Sequence, residues 1–137
     1  MDLPLSDYVT LVITVPESHA EVMRQALGEA GAGQWGNYSF CSFSVKGVAR
    51  FCPNHDADPF IGHSNELETL IEERIETICK RGILDTVLEA ITKAHPYEET
   101  VIEIYPIYQA GCKFQKKKEH LVSGNDSNSL LHHTKKR

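Results

Sequence analysis

The chain has 137 residues, of which 41% are hydrophobic and 24% charged, enough for one compact domain and too few for a second core. No apolar run approaches the roughly 20 residues that cross a bilayer, and the start, MDLPLSDYVT, has no basic region followed by an apolar one, so the expectation is a cytoplasmic protein with no membrane partner. The net charge of -5 is unevenly spread: residues 1–108 hold 7 Lys and Arg against 17 Asp and Glu, whereas residues 109–137 hold 7 against 2. An acidic body repels a phosphate backbone, which excludes nucleic acid as a partner except through the basic tail.

Residues 8–15, YVTLVITV, alternate with Val9, Leu11, Ile13 and Val15 on one side, and predict a strand with one fully apolar face. Pro16 closes it. Ser18 and Glu21 match a capping box ahead of an apolar stripe at Val22, Met23, Ala26, Leu27 and Ala30, so a helix of about three turns should follow and stop at Gly31. The β-formers on either side of Lys46-Gly47 predict a bent hairpin turning there.

A turn-rich loop, NHDADPFIGHSN, leads to a second long strand over 67–78, with Leu67, Ile71 and Ile75 on one side and Glu72, Arg74 and Glu76 on the other. Gly82 breaks the strand. Ile83, Leu84, Val87, Leu88 and Ile91 then recur at helical spacing until His95-Pro96, because the residue before a proline resists the helical region. The last strand is expected over 99–107. Strand, helix, hairpin, strand, helix, strand is an α+β, ferredoxin-like βαββαβ sandwich with an extra hairpin, both helices on one face of the sheet. The tail from Gln109 lacks periodicity and is expected to be disordered, which sets a domain over 1–108 and a tail over 109–137.

Chemistry has few places to sit. At the corner KAHPYEET, His95 ends a helix near the negative end of its dipole, which favours the charged imidazole, and Glu98 and Glu99 are near enough to pair with it. Acid-base work or a divalent metal site is one reading of that corner; a plain helix end is the other. On the open face of the sheet, Arg74 between Glu72 and Glu76 can hold one carboxylate and leave the other free, at a subunit contact, a ligand cleft or a merely solvated face. The segment EAGAGQWGNYSFCSFS follows a helix, so its glycines are no dinucleotide fingerprint; they build either a small polar pocket beside the Cys41 thiol or a simple turn over a buried cysteine. Cys52, His55, Asp56, Asp58 and His63 make a metal grouping only if the loop folds them together, and four cysteines at wide spacing show no Cys-x-x-Cys pair.

Four stretches, VPESHAEVMRQALGEAGAGQWGNYSFCSFS, ARFCPNHDADPFIG, ERIET and AHPYEETVIEIYPI, closely resemble the PII/CutA-like domain inserted in the middle of many YqfO-family (dinuclear metal centre, NGG-interacting-factor-three-like) proteins. The resemblance spans about residues 8–107. It implies the same ferredoxin-like fold, and a binding role for Gly36, Asn37, Tyr38, Cys41, Phe60, Gly62, Glu72, Arg74, Glu76, His95, Tyr97, Glu98 and Glu99, with Phe43, Pro59 and Pro96 in the shared pattern. The outer domains that supply the family's paired metals have no counterpart in these residues, so the resemblance does not carry the hydrolase label. It implies instead a free-standing, non-catalytic ligand-binding or regulatory module that assembles with itself, a trimer by analogy with CutA and PII proteins. On this reading the corner and the Gly36-Asn37-Tyr38 turn close one pocket with the Phe60-Ile61 loop.

Overall fold

A computed structural model describes residues 3–108 and contains one four-stranded antiparallel sheet with two helices on one face. The elements run β1 (Tyr8–Pro16), α1 (Ala20–Glu29), β2 (Phe43–Phe51), β3 (Glu68–Lys80), α2 (Leu84–Ala94) and β4 (Ile102–Pro106), in the sheet order β2-β3-β1-β4. That is the ferredoxin-like arrangement expected from the order of elements.

β1 is central because it is the strand with a continuous apolar face. Val9, Leu11, Ile13 and Val15 are buried against Ala20, Met23 and Leu27 of α1, Val87 and Ile91 of α2, and Ile75 and Cys79 of β3. Each fully buried branched side chain of this kind stabilises by about 1.5–3 kcal/mol, so this stripe decides which face of the sheet the helices cover. Antiparallel pairing of Ile13 with both Ile75 and Ile102 puts the apolar positions of three strands on the same side.

Several local expectations are corrected. Lys46-Gly47 is no turn: β2 runs straight through it, with Lys46 opposite Glu73 and Gly47 opposite Glu72. Gly47 does not adopt the positive φ that a tight hairpin turn demands, and the Lys46 ammonium reaches Glu17 at 2.9 Å, which favours an extended edge strand. The extra hairpin is therefore absent among the described residues. Nor does the capping box form. A 3-10 turn over Glu17–His19 precedes α1, Ser18 bonds the neighbouring His19 ring at 2.8 Å, and Glu21 turns to Arg24 at 3.1 Å.

α1 does stop where predicted. Gly31 has φ +103°, a left-handed conformation that costs glycine little, and its N–H closes on the Gly28 carbonyl at 3.1 Å. In β3 the alternation is as read, but its outer end lacks cover: Leu67 precedes the strand at 72% exposure and Ile71 is also exposed. The expected basic tail lies outside the described residues, and none of the described helices is long and apolar enough to cross a membrane.

Candidate functional site

The corner after α2 is built by Pro96. It forces His95 out of the helix (φ -76°, ψ 133°) while the His95 N–H still closes the last turn on Ile91 at 2.9 Å. The imidazole then points inward and is only 6% exposed. Its Nε2–H donates to the Thr14 carbonyl of β1 at 2.8 Å, and its Nδ1 accepts the Tyr97 N–H at 3.2 Å. Both nitrogens are thus spent on backbone, which fixes the neutral ring with its proton on Nε2.

The charged imidazole expected from the helix dipole is not favoured here. Burial holds the His95 pKa below the usual histidine value, and the Thr14 carbonyl offsets that only in part. Desolvation of a ring inside the molecule outweighs the half-charge of a helix end.

Beyond His95 the chain presents its side chains to a cleft. The Tyr97 hydroxyl donates to Glu72 Oε2 at 2.5 Å, and burial together with that carboxylate lifts the phenol pKa well above its ordinary range. Glu98 Oε1 accepts the Asp58 N–H at 2.9 Å, tying the corner to the loop between β2 and β3. Phe60 of that loop packs edge-on to His19, ring centres 5.2 Å apart, and lies 6.5 Å from Tyr97; the Phe51 ring lies 6.0 Å from Tyr97. Between these groups lies a cleft of about 580 Å³, with the buried Glu72 at its floor and the exposed Thr14, Arg50 and Glu99 also in its lining. Such a volume suits a small molecule.

Of the residues singled out in the sequence, the structure brings Phe60, Glu72, Tyr97, Glu98 and Glu99 to this cleft, with His95 as the latch behind it. Gly62 has φ +99° in the turn beyond Ile61 and packs toward Glu68. Arg74 and Glu76 lie on the open face: Arg74 reaches Glu76 at 3.0 Å and Glu103 of β4 at 3.6 Å, so the carboxylate it leaves free is Glu72. Arg74 and Glu103 both sit opposite β1, at Thr14 and Val12.

Gly36, Asn37, Tyr38 and Cys41 do not close the cleft. Their segment is anchored at the other end of β3, where Gly33 N–H bonds the Ile78 carbonyl at 2.7 Å and the Thr77 hydroxyl bonds the Cys41 carbonyl at 2.7 Å. Glu72 and Ile78 are separated by about 20 Å of strand. A Cβ on Gly33 would meet the Cys41 carbonyl oxygen at 2.4 Å, so that glycine serves close backbone packing, and the Cys41 side chain is exposed. Among the described residues no three His, Cys, Asp or Glu side chains gather as metal ligands; His55 pairs with Asp56, and His63 with Glu66.

The cleft also uses Arg50, Phe51 and Val101, which the sequence did not mark, and Cys52, which it marked only as a possible metal ligand. The hairpin reading hid Arg50 and Phe51, because it broke β2 at Gly47. A straight β2 in register with β3 sets Gly47 opposite Glu72 and runs on past it to Phe51, and the uninterrupted run SVKGVARF was the available signal.

No protein-family model matches the chain. It is 46% identical over 101 residues to the GTP cyclohydrolase 1 type 2 homolog of Halalkalibacterium halodurans, covering 74% of this chain and 27% of the relative. The protein of the same name from Bacillus subtilis is 46% identical over 99 residues, 72% of this chain and 26% of its own length. The chain thus spans about a quarter of the length of these curated relatives. Among solved structures, a Bacillus cereus protein related to NIF3 aligns at TM-score 0.66 with 38% identity, over 80% of this chain and 27% of that one. The CutA divalent cation tolerance protein of Archaeoglobus fulgidus aligns at 0.56 with 18% identity, over 77% and 88%, and Bacillus subtilis GlnK at 0.51 with 14%, over 74% and 82%.

Sheet order, two helices on one face and these neighbours define a PII/CutA-like, ferredoxin-like fold. The chain is a relative of the NIF3/YqfO family, matching those proteins through this one domain.

Proposed function

We propose that this chain is a non-catalytic, self-associating module, a cytoplasmic regulatory domain that binds a small ligand in the cleft between the His95–Glu99 corner and the Phe60 loop. The observation that carries the reading is the cleft itself: about 580 Å³, with aromatic walls and a buried carboxylate at its floor. A binding role is favoured over an acid-base one because the imidazole of His95 has both nitrogens tied to backbone and cannot shuttle protons. For the same reason a metal-dependent hydrolase at His95, Glu98 and Glu99 has less support. The whole relatives are named as homologues of a GTP cyclohydrolase; three carboxylates against one guanidinium offer no cradle for a triphosphate in this cleft.

Self-association is supported by the open sheet face. There the Glu76–Arg74–Glu103 ion-pair set is bordered by exposed Phe43, Val45 and Tyr105, an apolar surround with a polar centre that a second copy can cover. A trimer is the assembly proposed, as in the resemblance to CutA and PII proteins. Native mass spectrometry of freshly purified protein tests both halves, since it reports subunit number and bound mass together. An oligomer carrying a small-molecule mass that is reduced in Phe60→Ala is the expected result; a bare monomer at micromolar concentration overturns the proposal.

A further inference from the structure

Resting on that reading, we infer that the ligand of the cleft is a small organic cation: a flat body bearing N–H donors of the amidinium, guanidinium or primary ammonium type, read by Glu72 and stacked on the aromatic wall. Glu72 sets the chemistry. It is 7% exposed, and of its two oxygens Oε2 takes the Tyr97 hydroxyl, while no donor among the described residues reaches Oε1. Glu72 lines the cleft, so Oε1 is the acceptor left to whatever enters.

A carboxylate this little exposed favours a cationic partner, because desolvating its charge costs free energy that a neutral donor offsets only in part. The protein supplies the Tyr97 hydroxyl to Oε2 but no cation to Glu72. Arg74 is held by Glu76 and Glu103 on the open face, and Arg24 by Glu73 and Glu21 on the helix face. Around the cleft Glu98 and Glu99 add two more carboxylates, with Arg50 the single cation in its lining. That balance repels anions and attracts cations.

The cation must be extended. No three of these carboxylates, nor any other three His, Cys, Asp or Glu side chains among the described residues, come together as ligands for one metal ion. A molecule that bridges from the floor at Glu72 to the rim at Glu99 meets both charges without needing them to converge. The walls specify its body: Phe51, Phe60 and Tyr97 stand with ring centres 6.0 and 6.5 Å apart and tilted planes, offering aromatic faces to a planar cation.

Three isosteres of one shape separate the possibilities: benzamidinium (cation), benzamide (neutral) and benzoate (anion), each titrated at up to millimolar concentration into isotope-labelled full-length protein. Backbone amide signals at Gly47, Ile61 and Val101 report the cleft. Benzamidinium is expected to shift them and to bind more tightly than either isostere, and Glu72→Gln should weaken it about tenfold, the scale of one charge-assisted hydrogen bond. Should Glu72→Gln lose its dispersed spectrum, the exposed Glu99→Gln carries the comparison, with about a threefold loss expected for a rim charge. Benzoate or benzamide binding as well as benzamidinium, or unchanged benzamidinium affinity in the folded variants, overturns the cation while leaving a ligand cleft. No cleft shift from any of the three overturns the cation and the ligand-binding role together.

Discussion

Replacing His95 with Asn probes the joint between corner and sheet most sharply. The imidazole bridges two backbone groups of different elements, accepting from Tyr97 N–H and donating to the Thr14 carbonyl, and it does so almost without solvent. Asn is shorter by roughly a bond and cannot span both, so at least one buried backbone group loses its partner. An orphaned buried donor or acceptor costs about 1–3 kcal/mol, and the space left by the ring adds to it, giving about 2–4 kcal/mol in all.

The same residue predicts a pH dependence. Its folded pKa lies below the ordinary value of 6.5. Above about pH 6.5 the ring is neutral in both folded and unfolded chains, so its contribution is fully present. As pH falls below that value, the unfolded chain takes up the proton first, and stability is lost at up to about 1.4 kcal/mol per pH unit until the folded ring also protonates. Urea unfolding at about pH 7.5 and about pH 5.5 should therefore show a larger acid loss in wild type than in His95→Asn, the carboxylate contribution being common to both. Equal acid losses, or a variant within about 0.5 kcal/mol of wild type at the higher pH, would refute the latch.

Tyr97→Phe removes the donor from Glu72 Oε2; denaturant midpoints should show a loss of about 1–3 kcal/mol at neutral pH. Arg74→Glu adds a third carboxylate to Glu76 and Glu103 on the open face, and sedimentation should show the oligomer dissociating while the circular dichroism of the subunit is kept. Deleting residues 109–137 should change stability by less than about 1 kcal/mol, measured by thermal unfolding, and abolish any salt-sensitive nucleic-acid binding.

Much of the fold was legible because the core is written in strict alternation. Val9, Leu11, Ile13 and Val15 could face only one way, and Val87 and Ile91 complete the same core at helical spacing. β2 was misread for a physical reason: its alternating apolar residues, Phe43, Val45, Ala49 and Phe51, lie on the open face and are interrupted at Gly47, so the strand reads as two short runs. Lys-Gly in its middle then passes for a turn.

The site was half legible. Pro96 announced the corner that carries Tyr97 and Glu98, and the alternation of β3 marked Glu72. Spacing could not show that His95 turns inward, since its partner Thr14 lies 81 residues away in the chain. Nor could it show that the glycine segment belongs to the far end of the sheet, a separation fixed by the Gly33 bond to Ile78.

A crystal structure of the protein as purified, without added ligand, tests the central claim most directly. The account predicts a cleft that stays open, with non-protein density between the Phe60 ring and the Glu72 carboxylate. A Phe60 loop collapsed onto Tyr97, filling the space with the protein's own side chains, would contradict it.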